Sequence, residues 1–470
     1  MNTLEGVTPT QQQKTLTLST VGFTICFAVW TIFSIIGIQI QQELGLNETQ
    51  FALLVSLPIL TGSLSRLGLG MLADRFGGRP VMTLVMLAAA LATGLLTVAG
   101  SYGAYLAAAL GVGLAGGAFS VGVAYLSRWY PRDRQGTALG IFGLGNVGAA
   151  VTKFIAPFVM VAWGWTAVAQ IWAVVLAAMA VTFWLTADDD PVIRHRRATG
   201  EKPPSAGMQL SPLVKLQVWR FAIYYFFVFG AFVALALWLP RYYVEVYGLD
   251  IRLAGTLAAT FSLAASVFRA YGGYLSDKYG ARRIMYWTFG VALVCTFLLS
   301  YPPTDYAVHG VDGPIEFSLA MGLVPFTVIL FALGFAMSLG KAAVFKHIPV
   351  YYPDNVGSVG GIVGLVGGLG GFVLPMVFGV VNDITGIWTS SFMILFLLAG
   401  TALTWMHLAI LRMERASAPQ LAGLPQLPEF QGMREDRRAG TVGPGPGTKS
   451  TADHHSDHDT GTRPATGATT

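Results

Sequence analysis

The sequence predicts an all-α membrane protein with about twelve transmembrane helices in two six-helix bundles. Three observations predict it. First, 54% of the 470 residues are apolar and 11% are charged, with a mean hydropathy of +0.60, whereas a soluble domain carries roughly a quarter of its residues as charges. No soluble core absorbs such an excess. Second, apolar windows recur almost from end to end, each close to the roughly 20 residues that cross a bilayer. Third, one polar motif occurs twice at a fixed distance, as a duplicated bundle requires.

The windows fall near 18–40, 50–72, 81–100, 103–126, 137–160, 165–186, 219–241, 254–276, 284–301, 318–344, 357–380 and 389–411. The loop after the second carries Arg75 and Arg79, and the loop after the fourth carries Arg128, Arg132 and Arg134. The loop after the sixth adds Arg194, Arg196, Arg197 and Lys202, and the one after the eighth Lys278, Arg282 and Arg283. Connections on the other side hold mainly Glu43, Asp250, Asp312 and Glu316. Lys and Arg accumulate in cytoplasmic loops, so both termini are expected in the cytoplasm, in a cell (inner or plasma) membrane.

Residues 1–17 lack the charged start, short apolar core and cleavage site of a secretory signal, and read as a cytoplasmic N-terminus. Residues 18–186 form the first expected bundle. Residues 187–218, with Asp188, Asp189, Asp190 and Pro191 ahead of a basic cluster, form a cytoplasmic linker, and 219–411 form the second bundle. Residues 412–470 are rich in Gly, Pro, Thr, Ser and charge without apolar periodicity, the composition of a disordered tail. His454, His455 and His458 in that tail are expected to be solvated rather than metal-bound.

Composition also excludes functions. The net charge of +5 sits in short loops and reports topology; no basic residues interleave with aromatics as a nucleic-acid surface needs. Cys26 and Cys295 lie inside apolar runs, so packed or lipid-facing thiols are expected instead of a disulfide framework. No metal-ligand spacing, nucleophile with a base or nucleotide loop is present, so an enzyme is not expected and no cofactor is implied. Each half finds its partner within one chain, so a monomer in the lipid bilayer suffices.

The repeat aligns SLSRLGLGMLADRFGGRPVM with SVFRAYGGYLSDKYGARRIM, pairing Arg66 with Arg269, Gly70 with Gly273, Asp74 with Asp277 and Gly77 with Gly280 at a constant offset of 203 residues. At GMLADRFGGR (70–79) and GYLSDKYGARR (273–283) the sequence resembles the signature loop of the major facilitator superfamily. There the glycines permit close helix approach, and Asp74 with Arg75, or Asp277 with Lys278, offers a charge clasp that stabilises one conformation. Within that superfamily, GTALGIFGLGNVGAA (136–150) and GIVGLVGGLGGFVLP (361–375) resemble the paired nitrate signature of the nitrate/nitrite porter family. The resemblance spans residues 18–411 and implies the major facilitator fold.

Arg66 and Arg269 each precede a signature Asp by eight residues, which puts them roughly 12 Å inside the face of a ~30 Å hydrocarbon layer. An unpaired guanidinium at that depth costs at least about 2.5–3.5 kcal/mol on insertion scales. No carboxylate at matching depth is evident in the spans, so the pair caps backbone carbonyls, snorkels toward the headgroups, or meets a mobile anion. A planar fork of N–H donors fits a planar oxyanion in a way lysine cannot copy, favouring nitrate or nitrite over halide.

The resemblance places Phe27, Phe119, Tyr225 and Phe229 around the anion and makes Asn146 a pore-lining amide; packing is the alternative for each aromatic. It makes Gly143, Gly145, Gly148, Gly367, Gly368, Gly370 and Gly371 seams along which helices slide or bend during alternating access. Lys153 and Lys341 are ionisable groups inside predicted spans, and GKAAVFKHIPVYYP (340–353) resembles the symporter branch. Nitrate/proton symport with Lys341 as the coupling group is therefore expected, nitrate/nitrite antiport is the alternative, and a nitrate sensor without flux is a reading of another class.

Overall fold

The computed structural model describes residues 7–200, 214–351 and 356–417. Twelve of its helices are long and apolar enough to span a membrane: Pro9–Leu44, Glu48–Ala73, Gly78–Val98, Tyr102–Ser127, Ala138–Trp163, Trp165–Thr186, Leu216–Tyr247, Ile251–Tyr279, Ala281–Ser300, Leu323–Ile348, Val359–Thr385 and Ser390–Met413. They are numbered here as first to twelfth span. The first and seventh are 83% and 89% buried within the protein, the twelfth only 33%, so the former two run through the middle and the latter faces outward. The halves meet through paired spans, second on eleventh, fifth on eighth and first on seventh.

Several boundaries differ from the sequence expectation, among them those at the two ends of the bundle. The first helix begins at Pro9, where Thr8 and Gln11 form a reciprocal capping box that satisfies the first orphan donors of the helix. The twelfth-span helix continues to Ser417, past the expected start of the tail at 412. The remainder of the tail, with its histidines, lies outside the described residues. The connection after the ninth span is a β-hairpin, Thr304–Gly310 against Gly313–Leu319, closed where Gly313 takes φ +126°. It was not expected: both strands are short, the second is exposed throughout and the first is half-buried only at Thr304, Tyr306 and Gly310.

The linker region contains a helix, Pro191–Thr199, whose N-cap Asp190 accepts from the Ile193 N–H at 3.0 Å. Asp190 is 1% exposed and pairs with Arg128. Asp189 pairs with Arg79 at 3.3 Å and Asp188 with Lys14 at 3.1 Å. Each carboxylate of the acidic triplet thus holds a different part of the first half. The signature loops match in backbone as well as sequence, since Gly77 and Gly280 both break the helix at positive φ, +100° and +86°, a region open to glycine.

The spans are irregular at one level. The first breaks at Thr31, whose hydroxyl bonds back to the Phe27 carbonyl at 3.1 Å, a contact that bends helices. The fourth tightens to 3₁₀ geometry over Gly113–Gly117 and the fifth over Leu144–Val147. The seventh widens to a π-helix over Phe226–Ala231, and the eighth is interrupted at Phe268, just before Arg269. Such breaks are tolerated in a membrane where they are buried in protein.

Candidate functional site

Arg66 and Arg269 stand at this irregular level, 3% and 7% exposed. Each reaches across to the glycine-rich span of the other half. Arg66 on the second span donates through Nη1 to the Gly364 carbonyl of the eleventh at 2.6 Å, and through Nε to the Gly116 carbonyl at 3.4 Å. The Arg269 guanidinium lies against Gly143 of the fifth span, where an added Cβ would stand 3.2 Å from it. Its Nη1 is buried without a hydrogen-bond partner. The two cations feel each other's charge. Among the described residues, no ion pair involves either one.

Aromatic faces surround the Arg66 guanidinium: Trp30 at 5.6 Å, Phe119 at 5.4 Å and Phe229 at 5.4 Å from ring centroid to the guanidinium carbon. Ring faces carry negative potential, so they hold a cation without neutralising it. Tyr225 stacks on Phe229 at 5.0 Å and 6° and packs on Gly367, where a Cβ would sit 2.2 Å from its ring. Phe345 contacts Tyr225 edge-on at 4.9 Å and lies 5.7 Å from the Arg269 guanidinium. Of the sequence-singled aromatics, Phe119, Tyr225 and Phe229 therefore gather at the arginines. Phe27 packs on Trp30, which faces Arg66, and on Phe23 and Phe232.

Asn146 is 1% exposed and its amide Nδ2 has no hydrogen-bond partner, which leaves a buried donor costly unless something accepts from it. Lys341 is fully buried, its Nζ 3.7 Å from the centre of Phe232 and also without a hydrogen-bond partner. It is close enough to Arg269 to feel its charge. Lys153 is different: its Nζ donates to the Ala149 carbonyl at 2.8 Å on its own helix.

In the second half, the signature acid has a different partner from the one expected. Asp277 pairs with Lys346 of the tenth span, while Lys278 lies 5.1 Å over the Tyr279 ring. Adjacent residues on a helix point apart by about 100°, so Lys278 faces away from its neighbour's partner. Arg75 is exposed, 5.3 Å over the Phe76 ring, and the Asp74 side chain lies outside the described residues.

The glycines fall into two kinds. Gly145, Gly148, Gly367, Gly370 and Gly371 are seams where a methyl group would meet packed atoms within 3 Å; at Gly148 the first is the Thr24 carbonyl of the first span, at 2.1 Å. Gly143 and Gly368 border the arginines themselves. Sequence reading missed Trp30, Phe345 and Ser63. Ser63 sits against Gly368 with a buried hydroxyl lacking a partner. Its signal was its position one helical turn before Arg66, on the same face.

Comparison with known proteins agrees with this architecture. The Major Facilitator Superfamily profile matches residues 18–327. The chain is 44% identical to a probable nitrate/nitrite antiporter, NarK1, of Thermus thermophilus, over 87% of this chain and 94% of that one. It is 31% identical to the nitrite extrusion protein of Bacillus subtilis (strain 168), over 82% of this chain and 91% of that one. It is 29% identical to a probable nitrate transporter, NarT, of Staphylococcus epidermidis, over 85% and 94%. In fold it resembles a bacterial homologue of the human lysosomal transporter Spinster, with a TM-score of 0.64 and 16% identity over 86% of this chain and 97% of that one. With twelve spans, a duplicated signature loop and relatives of this identity along most of its length, the chain belongs to the nitrate/nitrite porter family of the major facilitator superfamily, a family of transporters and not of enzymes.

Proposed function

We propose that this chain carries nitrate across the membrane by alternating access, with Arg66 and Arg269 as the anion site. One observation carries the proposal: two buried guanidinium groups, one from each half, face the same level of the interface with no carboxylate paired to either among the described residues. The anion supplies the charge the protein withholds. Arg269 Nη1 and Asn146 Nδ2 are donors awaiting an acceptor, and the stacked pair of Tyr225 and Phe229 forms an aromatic wall beside Arg66. With the site empty the two cations repel as the halves approach; with it filled the repulsion is offset and the reorientation proceeds.

A proton is the proposed co-substrate, and Lys341 its carrier, because this buried amine without a hydrogen-bond acceptor stands within the field of Arg269. A proton on Lys341 adds a third positive charge that an arriving anion stabilises, so the two bind together. Nitrate/nitrite exchange is a second reading, favoured by the similarity to the probable nitrate/nitrite antiporter of Thermus thermophilus. In that reading either anion unlocks the return step.

Proteoliposomes loaded with either a pH gradient or internal nitrite as the only driving force decide between them. Symport predicts nitrate accumulation with the pH gradient alone, abolished in Lys341→Met. Accumulation that needs internal nitrite and ignores the gradient overturns symport and leaves exchange. No nitrate movement under either condition overturns the transport reading itself.

A further inference from the structure

At the end of the molecule opposite the signature loops, the two halves are joined by a charged cluster that the anion site does not use. Arg241, on the seventh span, is 7% exposed. Its Nε donates to Glu48 Oε2 at 3.0 Å, and its other nitrogens donate to Glu48 Oε1 and Gln41 Oε1. Glu245, one turn on, stands 3.5 Å away. The guanidinium also lies over Phe51 at 4.9 Å and Trp388 at 5.7 Å. Gln41 and Glu48 belong to the first half, Arg241 and Trp388 to the second.

The second half also sends a carboxylate across. Asp383, on the eleventh span, accepts from the backbone N–H of Glu48 at 3.1 Å and of Thr49 at 2.9 Å, and from the Thr49 hydroxyl. Those N–H groups are orphan donors of the second span's first turn, which favours negative charge. So each half presents an acid to a donor of the other. One turn further in, a Cβ on Gly379 would stand 2.8 Å from both the Ala52 side chain and the Glu48 carbonyl, so the seam beneath the cluster is closed by direct packing.

We propose that Arg241, Glu48, Gln41 and Asp383 form the gate that shuts the pathway at this end, and that their parting is the step that opens it. A charged latch suits a reversible gate. Closed, the bidentate ion pair and the capped helix start hold the halves together. Open, all four groups meet water, so no buried charge is stranded, whereas an apolar seam would have to wet its hydrophobic surface each cycle. The gate is independent of the cargo's identity, and its test needs none.

The test uses purified full-length protein with Cys26→Ser and Cys295→Ser, and spin labels at Gln42→Cys in the first half and Ile384→Cys in the second, both positions exposed. Pulsed electron-spin resonance is expected to give a short distance in the parent. Glu48→Gln and Arg241→Gln are expected to raise the population at longer distance about tenfold, the effect of losing a charge-assisted pair. The exchanged pair Glu48→Arg with Arg241→Glu returns the distribution toward the parent. A second label pair within one half, Gln42→Cys with Leu95→Cys, keeps its distance throughout and separates gate opening from unfolding. Distances unchanged in both single variants overturn the proposal, as does an exchanged pair that stays apart while the within-half distance holds. Asp383→Asn, which keeps the side-chain shape, supplies an independent variant with the same expected direction.

Discussion

The proposed site depends on guanidinium groups rather than on positive charge alone, and that is testable residue by residue. Lysine at either position keeps the charge but loses the fork of parallel donors. Arg66→Lys and Arg269→Lys are each expected to lower nitrate uptake into proteoliposomes by roughly 10- to 100-fold, the loss of about 1.5–3 kcal/mol from a charge-assisted hydrogen bond. Uptake unchanged in both variants would remove bidentate recognition from the mechanism. The arginines were visible in the sequence because a charge amid an apolar run is conspicuous. Trp30 and Ser63 were not, since either looks like an ordinary span residue until the fold sets it beside Arg66 or Gly368. Arg241 was hidden for a related reason: it closed an apolar window and read as a helix end, yet it is buried and held by Glu48.

At the scale of elements, hydropathy registers length but not backbone regularity. Twelve windows were legible, while the break at Thr31, the π-turn at Phe226–Ala231 and the interruption at Phe268 were not, because their residues are as apolar as their neighbours. The glycine stretches were legible as stretches, and only packing sorts them by role. Gly148→Ala drives a methyl group into the backbone of the first span, and is expected to destabilise the protein by about 1–3 kcal/mol, as overpacking does; a lowered melting temperature checks it. Gly143→Ala meets only the movable end of Arg269 at 3.2 Å. It is therefore expected to leave the melting temperature within error and to depress nitrate uptake. Equal melting temperatures for both variants would show that the two glycines do not differ in this way.

For the molecule as a whole, the excess of Lys and Arg in alternate loops predicts the orientation, with the signature loops expected inside and the hairpin at Thr304–Leu319 outside. The expected outcome is direct. With Cys26 and Cys295 replaced by Ser, Asp312→Cys at the hairpin turn should react with a membrane-impermeant thiol reagent on intact cells, and Arg75→Cys only after lysis. The reverse pattern would invert the orientation.

One consequence follows from the bond between Arg66 and the Gly364 carbonyl. In the proposed site, Arg66 Nη1 already holds the Gly364 carbonyl, so an anion that binds at that nitrogen competes with a resident acceptor, while the guanidinium has further N–H groups to offer it. At that nitrogen the anion gains only the difference between two hydrogen bonds, so the proposed site is expected to bind modestly and release readily. A carrier gains from that, since cargo gripped too tightly slows turnover; the glycine backbone acts as a resident competitor that takes the arginine back once the ion has gone.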